Sequence, residues 1–260
     1  MKKLSAALAA AAALCMFSSN AFAGDTIELL DHGVVEIAPT IGLNSLHKDW
    51  KPGWTSDINV GYGVADFMTV STTIALDTTD AFRDSIPGVS FQLLFTPLDT
   101  EIFDIDFFVD FGWQGVYTMA PGLEFNVDSS NDMSGFGAYL RTVFPMYSGA
   151  DPEDGETVTD FAFALTIGLY YTIMEGNQLF LEGGLNIPNM AKKLGDRSTD
   201  GYVSLGYNVE VFENFEIVSE VKINIPDGGD PVDAEMTVGA IIDLHDVITH
   251  KKSTDKLSAF

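Results

Sequence analysis

The sequence predicts an all-β fold, a closed antiparallel up-and-down barrel of about twelve strands that crosses a bilayer. Three observations carry that prediction. Apolar and polar residues alternate through most of the chain, the two-residue period of strands with one oily and one wet face. The links between these segments alternate long and short, as they do when turns gather at one end of a barrel and loops at the other. No stretch beyond residue 23 reaches the ~20 consecutive apolar residues of a membrane helix. A chain with so much oily strand surface can then span lipid only as a closed ring, which leaves no unpaired edge.

Residues 1–23 stand apart from the fold. Lys2 and Lys3 give a positive start, residues 4–17 are apolar, and Ala21, Phe22 and Ala23 form a small-x-small cleavage site. That is the pattern of a cleaved export signal, too short to span a bilayer. Cys15, the single cysteine, lies inside it behind Leu14. A lipid-attachment site needs a small residue there. The mature chain is therefore expected to have no disulfide and no thiol chemistry. Residues 24–244 read as the barrel and 245–260 as a polar tail on the periplasmic side.

The strand segments are 33–44, 54–63, 67–77, 87–96, 101–117, 121–128, 135–146, 158–173, 178–187, 201–212, 215–225 and 232–244. Short links fall at 63–66, 97–100, 175–177 and 213–214. Long polar links fall at 44–53, 78–86, 148–157, 188–200 and 226–231. The middle is less regular. Links at 119–120 and 129–134 break the alternation, and losing one hairpin there would leave ten strands. In the fifth segment Phe103, Ile105, Phe107, Val109, Phe111, Trp113 and Tyr117 share a face. Asp104, Asp106, Asp110 and Gln114 share the other, with Phe108 as an exception. Three carboxylates on the buried face of a soluble sandwich would be prohibitively costly without partners, but a wetted wall tolerates them. In the eighth, Phe161, Phe163, Leu165, Ile167, Leu169, Tyr171 and Ile173 oppose a face of small residues around Gly168. That small face leaves room for a lumen or for a close inner contact. The last three segments alternate in the same way, for example Val203, Leu205 and Tyr207 against Ser204, Gly206 and Asn208. Aromatics gather near segment ends at Trp54, Tyr62, Trp113, Tyr117, Phe144, Tyr147, Tyr202, Phe212 and Phe215. Interfacial girdles predict this placement, although strands favour aromatics in any case.

Charge excludes one class of partner. The chain has 13 Lys and Arg against 38 Asp and Glu, a net charge of −25, which repels nucleic acid. Its 46% hydrophobic content also separates it from acidic soluble proteins of the halophile type.

With these features in place, the chain resembles Gram-negative outer-membrane β-barrel proteins of the size of the small twelve-stranded channels, over residues 33–244. The hairpin Gly61, Tyr62, Gly63, Val64, Ala65, Asp66, Phe67 is similar to those of porin-like proteins, including transporters associated with the degradation of aromatic compounds. The resemblance implies export to the cell outer membrane. It implies outer-membrane lipid and lipopolysaccharide, the barrel-assembly machinery and small solutes as partners. Many members of the class end their last strand on an aromatic residue that this machinery reads; here Phe260 is terminal but follows the polar tail.

By parity the inward face carries Glu36, Asp57, Asp77, Asp104, Asp106, Asp110, Glu124, Glu182, Glu210, Glu216, Glu220, Glu235 and Asp243, against Arg141 and Lys222. Rings of carboxylates favour cations. The expected function is passive passage of small cationic or neutral solutes, with Asp104, Asp106, Asp110, Arg141, Glu182, Glu220, Lys222 and Glu235 lining the pore. The bland readings are stated beside it. Carboxylates also serve simply to solvate a lumen, a narrow barrel can be filled by its own side chains, and Arg141 is expected to be held by interior carboxylates. If residues 226–231 form a loop, Lys222 lies opposite Glu235 as a cross-strand ion pair. The alternative function is a non-conducting structural or surface-interaction barrel that works through its external loops. The acidic loops at 151–156 and 227–233 lack the ligand spacing of a calcium-binding loop and read as solvated surface. His32, His47, His245 and His250 lie in no strand segment beside a Ser, so no enzyme, metal site or cofactor is expected.

Overall fold

The structure is a computed structural model. It describes residues 29–45, 53–77, 88–100, 102–113, 117–129, 135–150, 157–174, 176–188, 190, 199–212, 215–227 and 232–244. The expected export signal, the tail, His47, His245 and His250, and most of the long links lie outside the described residues.

Among the described residues fourteen strands form one antiparallel sheet: β1 (Val35–Ser45), β2 (Gly53–Ala65), β3 (Met68–Asp77), β4 (Gly88–Asp99), β5 (Phe103–Trp113), β6 (Tyr117–Asp128), β7 (Gly135–Val143), β8 (Met146–Ala150), β9 (Thr157–Phe161), β10 (Phe163–Met174), β11 (Asn177–Ile187), β12 (Asp200–Phe212), β13 (Phe215–Ile225) and β14 (Asp233–Asp243). Twelve of them close a ring. β1 pairs with β14, each sequence neighbour pairs with the next, and β7 passes to β10. The ring is therefore the twelve-stranded closed barrel that the alternation predicts, and the ten-strand count is set aside.

β8 and β9 lie outside the ring and extend its wall. Met146–Phe161 continues the register of Val143–Ala164 between β7 and β10, and Met119–Met146 continues that of Gly122–Val143 between β6 and β7. The interruption has a chemical cause. Pro121 and Pro145 meet at this seam, and neither has an N–H to give to a ladder. Their carbonyls still accept, Pro121 from Phe144 N at 2.9 Å and Pro145 from Ala162 N at 2.8 Å.

One sequence expectation is corrected here. The break after the fifth strand is not at 119–120 but between Trp113 and Tyr117. Tyr117 opens β6, paired with Trp113, and Met119 and Ala120 are regular members of that strand. Pro121 lies inside β6, where its missing N–H is tolerated because the ladder is already open at the seam.

Both termini of the ring lie at one end, called the lower end below. The hairpins β2–β3, β4–β5, β10–β11 and β12–β13 turn there, and each shows a register shift beside its turn. Such bulges increase local twist and suit the rim of a barrel.

The faces are inverted relative to a water-soluble protein. Ile167, Leu169, Leu205 and Met236 are more than half exposed, whereas Asp106 is 2% and Glu124 0% exposed. Soluble domains almost never bury such charges and expose such a continuous oily wall. Trp54, Tyr62, Trp113, Tyr117, Phe144 and Phe212 are exposed near strand ends, as a girdle requires. Tyr147 and Tyr202 are not part of it: Tyr147 is buried and Tyr202 lies over Gly184 on the inner face. Parity from their neighbours Met146 and Val203 would have separated them from the outer aromatics.

Candidate functional site

The inner face is organised in cross-strand rows. One begins at Asp104 on β5, opposite Asn126 on β6, which is opposite Tyr139 on β7. It continues through Gly168 and Glu182 to Ser204, then Lys222, then Glu235 on β14. The adjacent row runs from Asp106 through Glu124, Arg141, Thr166 and Gly184 to Tyr202 and Asn224. The two rows bring together six of the eight predicted pore-lining residues, Asp104, Asp106, Arg141, Glu182, Lys222 and Glu235, with Glu124 beside them. The register alone does this, since the residues are far apart in sequence.

Within the belt the contacts are specific. Arg141 Nε donates to Glu124 Oε2, both side chains buried, and the guanidinium also lies 5.3 Å from the Tyr139 ring centroid. Tyr139 and Tyr202 both donate their hydroxyls to the Glu182 carboxylate. Lys222 Nζ sits 3.9 Å from the centre of the Tyr202 ring, within cation–π range. Lys222 is also opposite Glu235 as expected, and Asn224 donates to Glu235 Oε1 at 3.0 Å. Arg141 is thus held by an interior carboxylate rather than standing alone.

The acidic end of the belt is different. Asn126 Nδ2 bridges Asp104 Oδ1 at 2.6 Å and Asp106 Oδ2 at 3.1 Å, and Thr96 donates its hydroxyl to Asp106. These carboxylates are held by amide and hydroxyl groups. Asp110 is buried opposite Gln92 on β4, and Glu220 is buried opposite Gly206 on β12.

Glycines make this packing possible. Gly122, Gly137, Gly168, Gly184 and Gly206 lie directly opposite Phe108, Tyr170, Tyr139, Tyr202 and Phe180. A Cβ on any of the five would collide with the facing ring. The aromatic ring lies flat over the bare backbone, a known way of sheltering a strand glycine. The small face of β10 is therefore a site of close inner contact, with Tyr139 occupying the space over Gly168.

Two apolar clusters complete the interior. Ala38, Tyr139, Tyr170, Phe180 and Val218 pack together with Ile241, although β1, β7, β11 and β13 are not all neighbours in the ring. Leu94 and Phe108 pack with Leu29 and Val143. Sequence reading missed Tyr139, Tyr202 and Asn126 as members of the site. Tyr139 was within reach, because it shares a face with Arg141 two residues on.

No protein-family model matches the chain, and no curated protein matches it. Solved structures do. The COG4313 outer-membrane channel from Pseudomonas putida F1 superposes with a TM-score of 0.63 at 8% identity, covering 84% of this chain and 99% of that one. The NanC porin gives 0.61 at 10% identity, with 79% and 98% covered. The translocator domain of the autotransporter NalP from Neisseria meningitidis gives 0.58 at 12% identity, with 93% and 97% covered. At these identities the likeness is one of fold.

Proposed function

We propose that this chain is an outer-membrane channel for small cationic or neutral solutes, and that Asp104, Asp106, Asp110 and Arg141 set its charge preference. One observation carries the reading: an oily outer wall encloses an inner face on which acids outnumber bases. Among the described residues the buried charges are Asp106, Asp110, Glu124, Glu182 and Glu220 against Arg141 and Lys222. Arg141 is committed to Glu124 and Lys222 faces Glu235, so the basic groups are screened by acids. Asp104 and Asp106 instead leave an acceptor-rich wall, which attracts cations and repels anions at close range. The likeness in fold to solved porins and channels supports the transport role, and Glu182, Glu220, Lys222 and Glu235 extend the lining in this reading.

The test is a reversal potential in a planar bilayer under a salt gradient. Cation preference is expected, and Asp104→Asn with Asp106→Asn should move the potential towards zero. Anion preference, or silence at high protein load, would overturn the reading.

The packed interior favours a second reading. Phe180, Val218 and Glu124 are fully buried, which suits a non-conducting barrel that acts through its external loops. Loop deletion would then abolish a surface phenotype while bilayers stay silent.

A further inference from the structure

The segment just before β1 does not leave the barrel. It turns inward and docks on the inner wall. Leu30 N donates to Thr69 Oγ1 at 2.8 Å, and Thr69 is a buried inner-face residue of β3. Leu29 packs against Leu94 and Phe108, which belong to the inner faces of β4 and β5. The chain then reverses through a tight turn, with Val34 N bonded to Asp31 O at 3.0 Å and Gly33 at φ 87°. That φ favours glycine, because a side chain would meet its own backbone.

The wall is shaped to receive this segment. A Cβ on Gly61 would sit 2.8 Å from Leu30 Cδ1, and one on Gly63 would sit 2.6 Å from the Leu30 carbonyl oxygen. Gly63 also exchanges two backbone hydrogen bonds with it, accepting from Gly33 N at 2.8 Å and donating to Val34 O at 3.0 Å. Bare backbone at both positions is what lets a second chain lie against the sheet.

We propose that residues 29–31 are a displaceable plug, docked on β2–β5, whose release opens the path through the barrel. This rests on the channel reading above. The interior is filled from two sources. The rings of Tyr139, Tyr170 and Phe180 are carried by strands that are paired on both sides and cannot leave without opening the wall. Leu29 and Leu30 are joined to the wall by the Leu30 N–Thr69 hydrogen bond and their own side chains, while His32 and Gly33, bonded to Val64 O and Gly63 O, stay on the wall as the hinge. The two leucines are the part of the filling that can move with the ring intact. The docked and released states are two populations of one barrel.

Single-channel recording on the full chain tests this with two variants. Leu29→Ser with Leu30→Ser removes the apolar anchor, and should raise conductance or open time several-fold while leaving cation preference unchanged. Leu30→Cys with Gly61→Cys, in a Cys15→Ser background, places two thiols where a trimmed side chain meets the missing Cβ. Oxidation should hold that variant in the low-conductance state, and reduction should release it. If wild type conducts and the serine variant and both redox states match it, the plug is overturned and the channel stands. If wild type, serine variant and reduced protein are all silent although inserted and heat-modifiable, the channel reading falls and the plug with it.

Discussion

Phe180 on β11 stands directly across from Gly206 on β12, and its ring occupies the space that a Cβ on Gly206 would need. Phe180 is fully buried and belongs to the cluster that joins Val218 and Ala38 across the interior. The pair therefore couples wall geometry to filling. A glycine that looks like a weak point in a strand is the seat of an interior aromatic.

This coupling predicts a specific mutational pattern. Gly206→Ala should destabilise the barrel by about 1–3 kcal/mol through overpacking. Phe180→Ala should cost about 3–5 kcal/mol through the cavity that it leaves. Combined, the two should cost less than their sum, because the alanine no longer meets a ring. Denaturant titration of the folded protein in liposomes reads all three; strict additivity would mean that ring and glycine do not interact.

The Arg141–Glu124 pair makes a second prediction. Both groups are buried, so removing one strands the other. Arg141→Met alone should cost about 3–5 kcal/mol. Adding Glu124→Gln should recover much of that, since the stranded charge is gone. A double variant no more stable than Arg141→Met would show that Glu124 is satisfied elsewhere.

The outer wall can be tested with a single charge. Leu169 is 51% exposed near the middle of β10. If that face meets hydrocarbon, Leu169→Arg should cost about 2–4 kcal/mol. On a water-facing surface the same change would be nearly neutral. Labelling from within lipid gives the complementary readout: cysteines at Phe107 or Ile217 should react, and cysteines at Asp104 or Glu220 should not.

Opposite shifts in selectivity are expected from the two halves of the Lys222–Glu235 pair. Lys222→Gln removes a base from the belt and should strengthen cation preference. Glu235→Gln removes an acid and should weaken it. Reversal potentials that move in the same direction for both would place the pair away from the permeation path.

A last expectation concerns the whole molecule. The protein should need detergent to stay in solution and should migrate differently on a gel when left unheated. Free solubility without detergent would contradict the inverted faces.

Some of this was legible in the chain. The two-residue period of residues such as Leu205 and Ser204 fixes which face each side chain takes, because successive Cβ atoms point to opposite sides of a strand. A loop at 226–231 was enough to place Lys222 opposite Glu235, since one hairpin defines its own register. The link placed at 119–120 was misread because the break between Trp113 and Tyr117 shows only in the register of β5 with β6.

The sequence by itself determined the strands, their two faces and the excess of acid on the inner one, all local consequences of order along the chain. Only the tertiary structure decided which residues meet. Glu182 with Tyr139 and Tyr202, Phe180 over Gly206, and Leu30 against Gly61 each depend on pairing between distant segments. Those contacts follow from the register of β7 with β10, of β10 with β11 and of β11 with β12, and from the docking of Leu30 on β2, which the links between these segments do not fix by length alone.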